Sequence, residues 1–190
     1  MSGHDDEAIH RLVGANPGQA TFAEYALVRD AVVRRAPCRM LVFGVGRDMS
    51  LWLDANRGGE TYFVEDDARW IAEAMRHHPE AHVHRVRYRS IRGLWRWFVR
   101  SSTRLELRDL PDEVTDRPWD IVVVDGPRGT RWHTPGRMKS IHAASRLAEA
   151  GGDVFVHDCH RHVERTCADL FLGAPQCTAE VGSMRHYRRP

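Results

Sequence analysis

The feature that most constrains this chain is a set of short, largely apolar runs, each ending in glycine or a polar group. Met40–Phe43, Thr61–Val64, Asp120–Val124 and Asp153–Val156 are too short for buried helices and too continuous for half-solvated strands. They read as central strands of a parallel sheet, with a further strand over His82–Tyr88. Between them lie amphipathic stretches. Phe22, Tyr25, Ala26, Val32 and Val33 mark one helix face, stopped by Pro37. A helix over Met49–Asn56 follows, then one capped by Asp67 that carries Trp70, Ile71, Ala74 and Met75. Thr134-Pro135 reads as the start of a helix running to Gly151-Gly152, and Val163, Cys167, Leu170 and Phe171 mark the last. Cys177–Val181 and Met184–Tyr187 are expected to close the sheet as a hairpin. The pattern is α/β, a doubly wound, mostly parallel Rossmann-like sheet with a C-terminal antiparallel hairpin. Residues 1–20 read as a loose leader and 21–190 as a single domain.

Ligands of such sheets bind at the carboxyl ends of the strands. The polar groups collect there, at Gly44–Asp48, Glu65–Asp67, Asp125–Arg128 and His157–His162. A Gly44-Val-Gly46 turn followed 19 residues later by Glu65 is a nucleoside-binding arrangement, with the acid on ribose hydroxyls. Met49 stands where a dinucleotide site wants glycine or alanine. S-adenosylmethionine needs no phosphate cradle, and Asp48 with nearby backbone amides could meet its ammonium and carboxylate. Five strands and a closing hairpin are also the order of a class I methyltransferase. Gly44, Gly46, Asp48, Glu65 and Asp66 are the candidate cofactor residues.

Asp125 ends the fourth strand and His157-Asp158 the fifth, so the three border one pocket. Two chemistries are open for a hydroxyl acceptor. Asp125 or His157 can act as general base. Alternatively, Asp125 and Asp158 can hold Mg²⁺ or Mn²⁺ that acidifies the hydroxyl. His157, Cys159, His160, His162 and Cys167 match no common zinc spacing. Arg128, Arg131 and Arg137 are placed to meet an anionic substrate, and Trp132 could stack on a sugar ring. Arg85, Arg87 and Arg89 share a strand face. Arg92, Arg96, Arg100, Arg104 and Arg108 would form a stripe if that stretch is helical.

Several of these motifs together resemble the glucuronoxylan 4-O-methyltransferases of plant cell-wall synthesis. They are Ala36–Gly46, Phe63–Asp67 with Trp70, Trp119–Gly129, Pro135–Met138 with Ile141, and Asp153–Asp158. The resemblance spans about residues 24–190. It implies an S-adenosylmethionine-dependent O-methyltransferase acting on a sugar hydroxyl, at position 4 of a glucuronic acid-type residue. It carries over Gly44, Gly46 and Glu65 as cofactor contacts, with Asp125, His157 and Asp158 at the substrate edge. Plant members carry an N-terminal membrane anchor, whereas none is expected here, and residues 90–112 look short and Arg-rich. Another glycosylated small metabolite or a nucleoside-type natural product is the alternative acceptor.

Charge and cysteine usage bound the partners. With 28 basic and 26 acidic residues the net charge is +2, which argues against a dedicated nucleic-acid binder. An RNA-methylating protein that uses the arginines is the competing class. All basic residues but Lys139 are Arg. No apolar run approaches the roughly 20 residues of a membrane span. Four Cys without a C-x-x-C pair or a secretory signal read as reduced thiols, and the cytoplasm is the expected compartment. A saccharide acceptor is the expected partner, and a homo-oligomer is compatible with the sequence.

Overall fold

In the computed structural model, which describes residues 2–190 and side chains from residue 6 onward, α1 (Ser2–Ala15) leads into α2 (Phe22–Arg35), β1 (Arg39–Phe43), α3 (Met49–Ala55), β2 (Glu60–Glu65), α4 (Ala68–His77) and β3 (His82–Arg85). Short helices α5 (Trp95–Phe98), α6 (Ser102–Leu105) and α7 (Asp112–Thr115) precede β4 (Trp119–Val124). The chain continues with α8 (Met138–Leu147), β5 (Ala148–Val156), α9 (His162–Ala168), β6 (Cys177–Val181) and β7 (Met184–Arg188). The sheet order is β3-β2-β1-β4-β5-β7-β6. β1 to β5 pair in parallel, and β7 runs antiparallel to both β5 and β6.

The alternation inside each apolar run explains the two cores. Met40, Val42, Phe63, Ile121, Val123 and Phe155 face α1–α4. Leu41, Phe43, Val64, Val122, Val124, Val154 and Val156 face α5–α9. The strand order reverses between β1 and β4, which opens a crevice at their carboxyl ends. Gly44 and Gly126 close its floor by backbone contact. Gly44 has φ +115°, and a Cβ on Gly126 would stand 2.7 Å from the Gly44 Cα. A side chain at either position would push β1 and β4 apart.

Several expectations change here. Residues 2–15, expected as a loose leader, are helical, and Ile9 is buried against the α2 layer. In α2, Tyr25, Val28, Ala31 and Val32 carry the buried face, whereas Val33 is 45% exposed. α8 begins at Met138, not at Thr134-Pro135. The Thr134 hydroxyl is spent on the Arg131 carbonyl, and Gly136 at φ +67° breaks any helical turn begun at Pro135. α8 ends at Leu147, so β5 starts upstream of the Gly151-Gly152 pair. Arg92 to Arg108 form no single helical stripe, because the segment is cut into a 3₁₀ turn and two four-residue helices. Arg87 and Arg89 lie beyond the end of β3, yet with Arg85 they keep one exposed side. Among the described residues no helix is long and apolar enough to cross a membrane.

Asp153 fastens the opposite end of β5. It is 3% exposed and accepts bonds from Arg35 (2.6 Å), His186 (2.7 Å) and Arg188 (3.0 Å). Burial alone would raise its carboxyl, but those donors hold it down at about 2. The lowered value means stability that is present above the unfolded carboxyl pKa and lost as pH falls through about 2. Asp153→Asn is therefore expected to cost about 2 kcal/mol in urea unfolding at pH 7. An unchanged unfolding midpoint would show that the cluster contributes nothing net.

Candidate active site

The crevice is walled by the turn after β1, the end of β2 and the loops after β4 and β5. Glu65 is clasped by backbone. Its Oε2 accepts the Val45 amide (2.9 Å), and its Oε1 accepts the Asp66 and Asp67 amides (both 2.8 Å). It thereby binds the β1 turn to the β2 end. Asp66 beside it is pushed up to about 6 by burial and by the Glu65 carboxylate. Asp48 sits at the start of α3, where its Oδ2 accepts the Trp52 indole N–H (2.9 Å). Burial and the nearby charge of Asp125 raise it to about 6. A Cβ on Gly46 would lie 2.7 Å from Asp48 Oδ1, so only glycine leaves this carboxylate its place. All five cofactor candidates thus line the ends of β1 and β2.

Across the crevice, Asp125 and His157 form one unit. Asp125 Oδ1 bonds His157 Nδ1 at 2.8 Å. Arg137 is 6% exposed, and its guanidinium spans both acids, 2.9 Å from Asp125 Oδ1 and 2.5 Å from Asp158 Oδ2. Arg161 joins Asp158 at 2.9 Å. Burial would raise Asp125, yet the Arg137 charge and the His157 bond leave it below the usual carboxylate range. Burial would lower His157, yet the bond and charge of Asp125 leave the imidazole above its ordinary value. Asp158 has φ +62°, a strained backbone for a non-glycine residue. It does not cap α9, which starts at His162 without a side-chain cap.

The remaining candidates separate into two groups. Arg137, expected to face substrate, is instead consumed in clamping the two acids. Arg128, Arg131 and Trp132 sit exposed on the loop between β4 and α8, with Trp132 at 69%. That loop is tied to the segment after β3, since the Arg92 and Gly93 amides donate to the Thr134 (2.8 Å) and Trp132 (2.7 Å) carbonyls. Cys159 and Cys167 are buried thiols that burial pushes up to about 12. They do not join His160 and His162. Among the described residues, Asp125, His157 and Asp158 are the metal-capable cluster, with donor atoms within 4.8 Å of one another.

That spacing suits one ion, but the charges do not. Mg²⁺ and Mn²⁺ favour about six oxygen ligands. Here Asp125 Oδ1 already bonds His157 and lies at ion-pair distance from Arg137, and Asp158 Oδ2 lies at ion-pair distance from both Arg137 and Arg161. A divalent ion would enter against two guanidinium groups, so these residues fit an arginine clamp better than a hard-cation site.

The sequence reading missed two residues. Glu24 is 2% exposed and accepts from the Thr21 amide (2.6 Å) and the Ser183 amide (2.6 Å). Its Oε1 lies 3.6 Å from His157 Nε2. The signal was present, because Thr21-Phe-Ala-Glu24 has the spacing of a helix capping box. Tyr25, read only as a core residue, has its phenol pushed well up by burial and by Asp48, Asp125 and Glu24.

A crevice at the β1/β4 switch, opposite an acid–imidazole pair, is the architecture of a class I S-adenosylmethionine-dependent methyltransferase. The family described as IRX15/IRX15L/GXM matches residues 23–93 and 95–187, and the chain belongs to it. It is 32% identical to arabinogalactan O-methyltransferase 2 of Arabidopsis thaliana, over 96% of this chain and 71% of that one. It is 31% identical to glucuronoxylan 4-O-methyltransferase 3 of the same plant, over 97% and 69%. In fold it is similar to a TehB-like SAM-dependent methyltransferase from Corynebacterium glutamicum, with a TM-score of 0.55, 14% identity and full coverage of both chains. The chain is an S-adenosylmethionine-dependent O-methyltransferase.

Proposed function

We propose that the chain methylates a hydroxyl of an acidic saccharide, position 4 of a glucuronic acid-type residue in a polysaccharide or its fragment. The observation that carries this reading is the Asp125–His157 pair clamped by Arg137 at the crevice. A sugar hydroxyl is a poor nucleophile and needs a base held in line with the methyl donor. S-adenosylmethionine supplies an electrophilic methyl group; the other steps fall to the chain. Asp125 orients the imidazole through Nδ1, which leaves Nε2 as the atom that accepts the hydroxyl proton. Glu24 at 3.6 Å from Nε2 stabilises the imidazolium that results. Arg128 and Arg131 are the groups offered to a uronic carboxylate, and Trp132 the ring offered to the sugar face.

The test incubates the protein with methyl-labelled cofactor and glucuronoxylan, arabinogalactan, free uronic acids, neutral xylan and nucleosides. Label in the 4-O-methyl ether of glucuronic acid is expected. Transfer to neutral xylan or nucleosides alone would overturn the reading.

Asp48 gives a second expectation. If its carboxylate holds the cofactor ammonium, binding requires the ionised form, and Asp48 near 6 is protonated in acid. Affinity for S-adenosylhomocysteine should then fall about tenfold per unit as pH drops below 6 and be flat above 7. Calorimetry between pH 5 and 8 measures it, and a flat profile that persists in Asp48→Asn would remove Asp48 from the site.

A further inference from the structure

A second charged feature lies beside the crevice and has no part in the chemistry above. It is a cleft of about 160 Å³ between the segment after β3, the end of α6 and the first turn of α8. Arg87, Arg89, Arg108 and Lys139 line it, against the two acids Glu106 and Asp109. Charge there is poorly compensated. The nearest pairing is Arg108 to Glu106, at 3.9 Å. Among the described residues, Arg87, Arg89 and Lys139 have no ion-pair partner.

Lys139 is the informative member. It is the chain's sole lysine and is 7% exposed. Its Nζ is held by the Glu106 carbonyl at 3.1 Å. Burial, then the charges of Arg108 and Arg89, pull its ammonium below the ordinary lysine range. Crowding cations around a buried ammonium is unfavourable unless an anion joins them. The backbone is also strained at this cleft. Arg89 has φ +46°, and it shares a positive φ only with Asp158 among the described non-glycine residues. One of the two strained residues lies in the candidate centre and the other here.

The cleft is joined to the centre by one wall. Tyr88, between Arg87 and Arg89, bonds the Ser140 hydroxyl at 3.1 Å, and the single Ser140 O–H donates to the Gly126 carbonyl at 2.8 Å. Gly126 follows Asp125, and Lys139 lies two residues beyond Arg137. The geometry points to a second anion subsite at Arg87, Arg89, Arg108 and Lys139 that holds a carboxylate of an acidic oligosaccharide, on a residue other than the one being methylated. The identity of the oligosaccharide rests on the proposed function; the anion site rests on the cleft. A polymer that carries uronic acids at intervals presents a second carboxylate, whereas a monosaccharide does not.

Direct binding tests it without turnover. Calorimetry on the full chain would compare a xylo-oligosaccharide bearing two glucuronic acids, its neutral counterpart of equal length, inorganic phosphate and single-stranded RNA. Arg87 and Arg89 are exposed, so the double variant Arg87→Gln/Arg89→Gln is expected to keep the wild-type melting temperature. It should bind the acidic oligosaccharide roughly tenfold or more weakly, the scale of two charge-assisted bonds at a surface. The neutral sugar should bind far more weakly than the acidic one in wild type. Wild-type affinity in the double variant overturns the subsite. So does equal binding of the neutral sugar, tighter binding of RNA, or binding of phosphate without the oligosaccharide. If the acidic sugar binds through these arginines but is never methylated, the proposed function fails while the subsite stands.

Discussion

Asp125→Asn is expected to lower kcat by about a thousandfold while the affinity for S-adenosylhomocysteine changes little. The carboxylate does two things that an amide cannot. Its Oδ1 accepts from His157 Nδ1 at 2.8 Å, which fixes the tautomer with the lone pair on Nε2. Its negative charge also raises the imidazole's basicity and offsets Arg137, 2.9 Å away. An asparagine can turn its NH₂ toward Nδ1, which moves the imidazole proton to Nε2 and blocks the base. Loss of a general base costs about 10² to 10⁴ in rate. In the proposed reading cofactor affinity rests on the opposite wall, at Gly44, Asp48 and Glu65, and should be nearly unchanged. Single-turnover rates and calorimetry on the same variant separate the two effects. Wild-type kcat would make Asp125 structural and leave His157 without its orienting partner. Arg137→Lys is the control for the clamp, because a point charge cannot span both acids as the planar guanidinium does.

The contrast between what was legible in the sequence and what was not has a physical basis. The strands were legible because a β-strand covered on both faces has no polar positions, so Met40–Phe43 and Ile121–Val124 admit one reading. Their ends located the candidate site, since Gly44, Glu65, Asp125 and His157 each follow such a run directly. Local signals failed where two of them conflicted. Pro135 argued for a helix start, and Gly136 one residue later prevented it. The four-residue spacing of Arg92 to Arg108 was regular, but nothing in that spacing shows that Glu106 leaves the helix to expose its carbonyl to Lys139. Pairing at long range was invisible. Glu24 and Ser183 stand 159 positions apart, and only the folded sheet brings the start of α2 to the β6–β7 turn and the His157 ring. Arg137 misled for the same reason, as an arginine beside a substrate loop looks alike in sequence whether it meets a ligand or two acids of the same chain.

Activity is expected to survive exhaustive chelation and to rise with pH through an apparent pKa above 6.5. Both follow from the arginine clamp. Where a metal-dependent site would place a divalent charge between Asp125 and Asp158, Arg137 already stands, with Arg161 behind it on Asp158. In the proposed reading the proton then goes to an imidazole. His157 accepts it only when neutral, and burial, which lowers its pKa, is outweighed by the Asp125 carboxylate, which raises it. The raised value sets the sign: below it the ring is already protonated and turnover stops, and above it the rate reaches a plateau. Linkage gives the matching effect on stability. His157 stabilises the fold fully below the unfolded imidazole value near 6.5, and that contribution is lost as pH rises through the folded value. The enzyme should therefore be most active where this contribution has faded. Asp125→Asn removes the carboxylate that raises the ring, so the residual activity, carried by the rotamer whose amide oxygen faces Nδ1, should show the pH midpoint moved downward. Measuring the rate from pH 5 to 9, with and without chelator, decides between the two chemistries. Complete loss on chelation, restored by Mg²⁺ or Mn²⁺ alone, would mean that an ion displaces Arg137 and that His157 serves as its ligand, and the base assignment would be overturned.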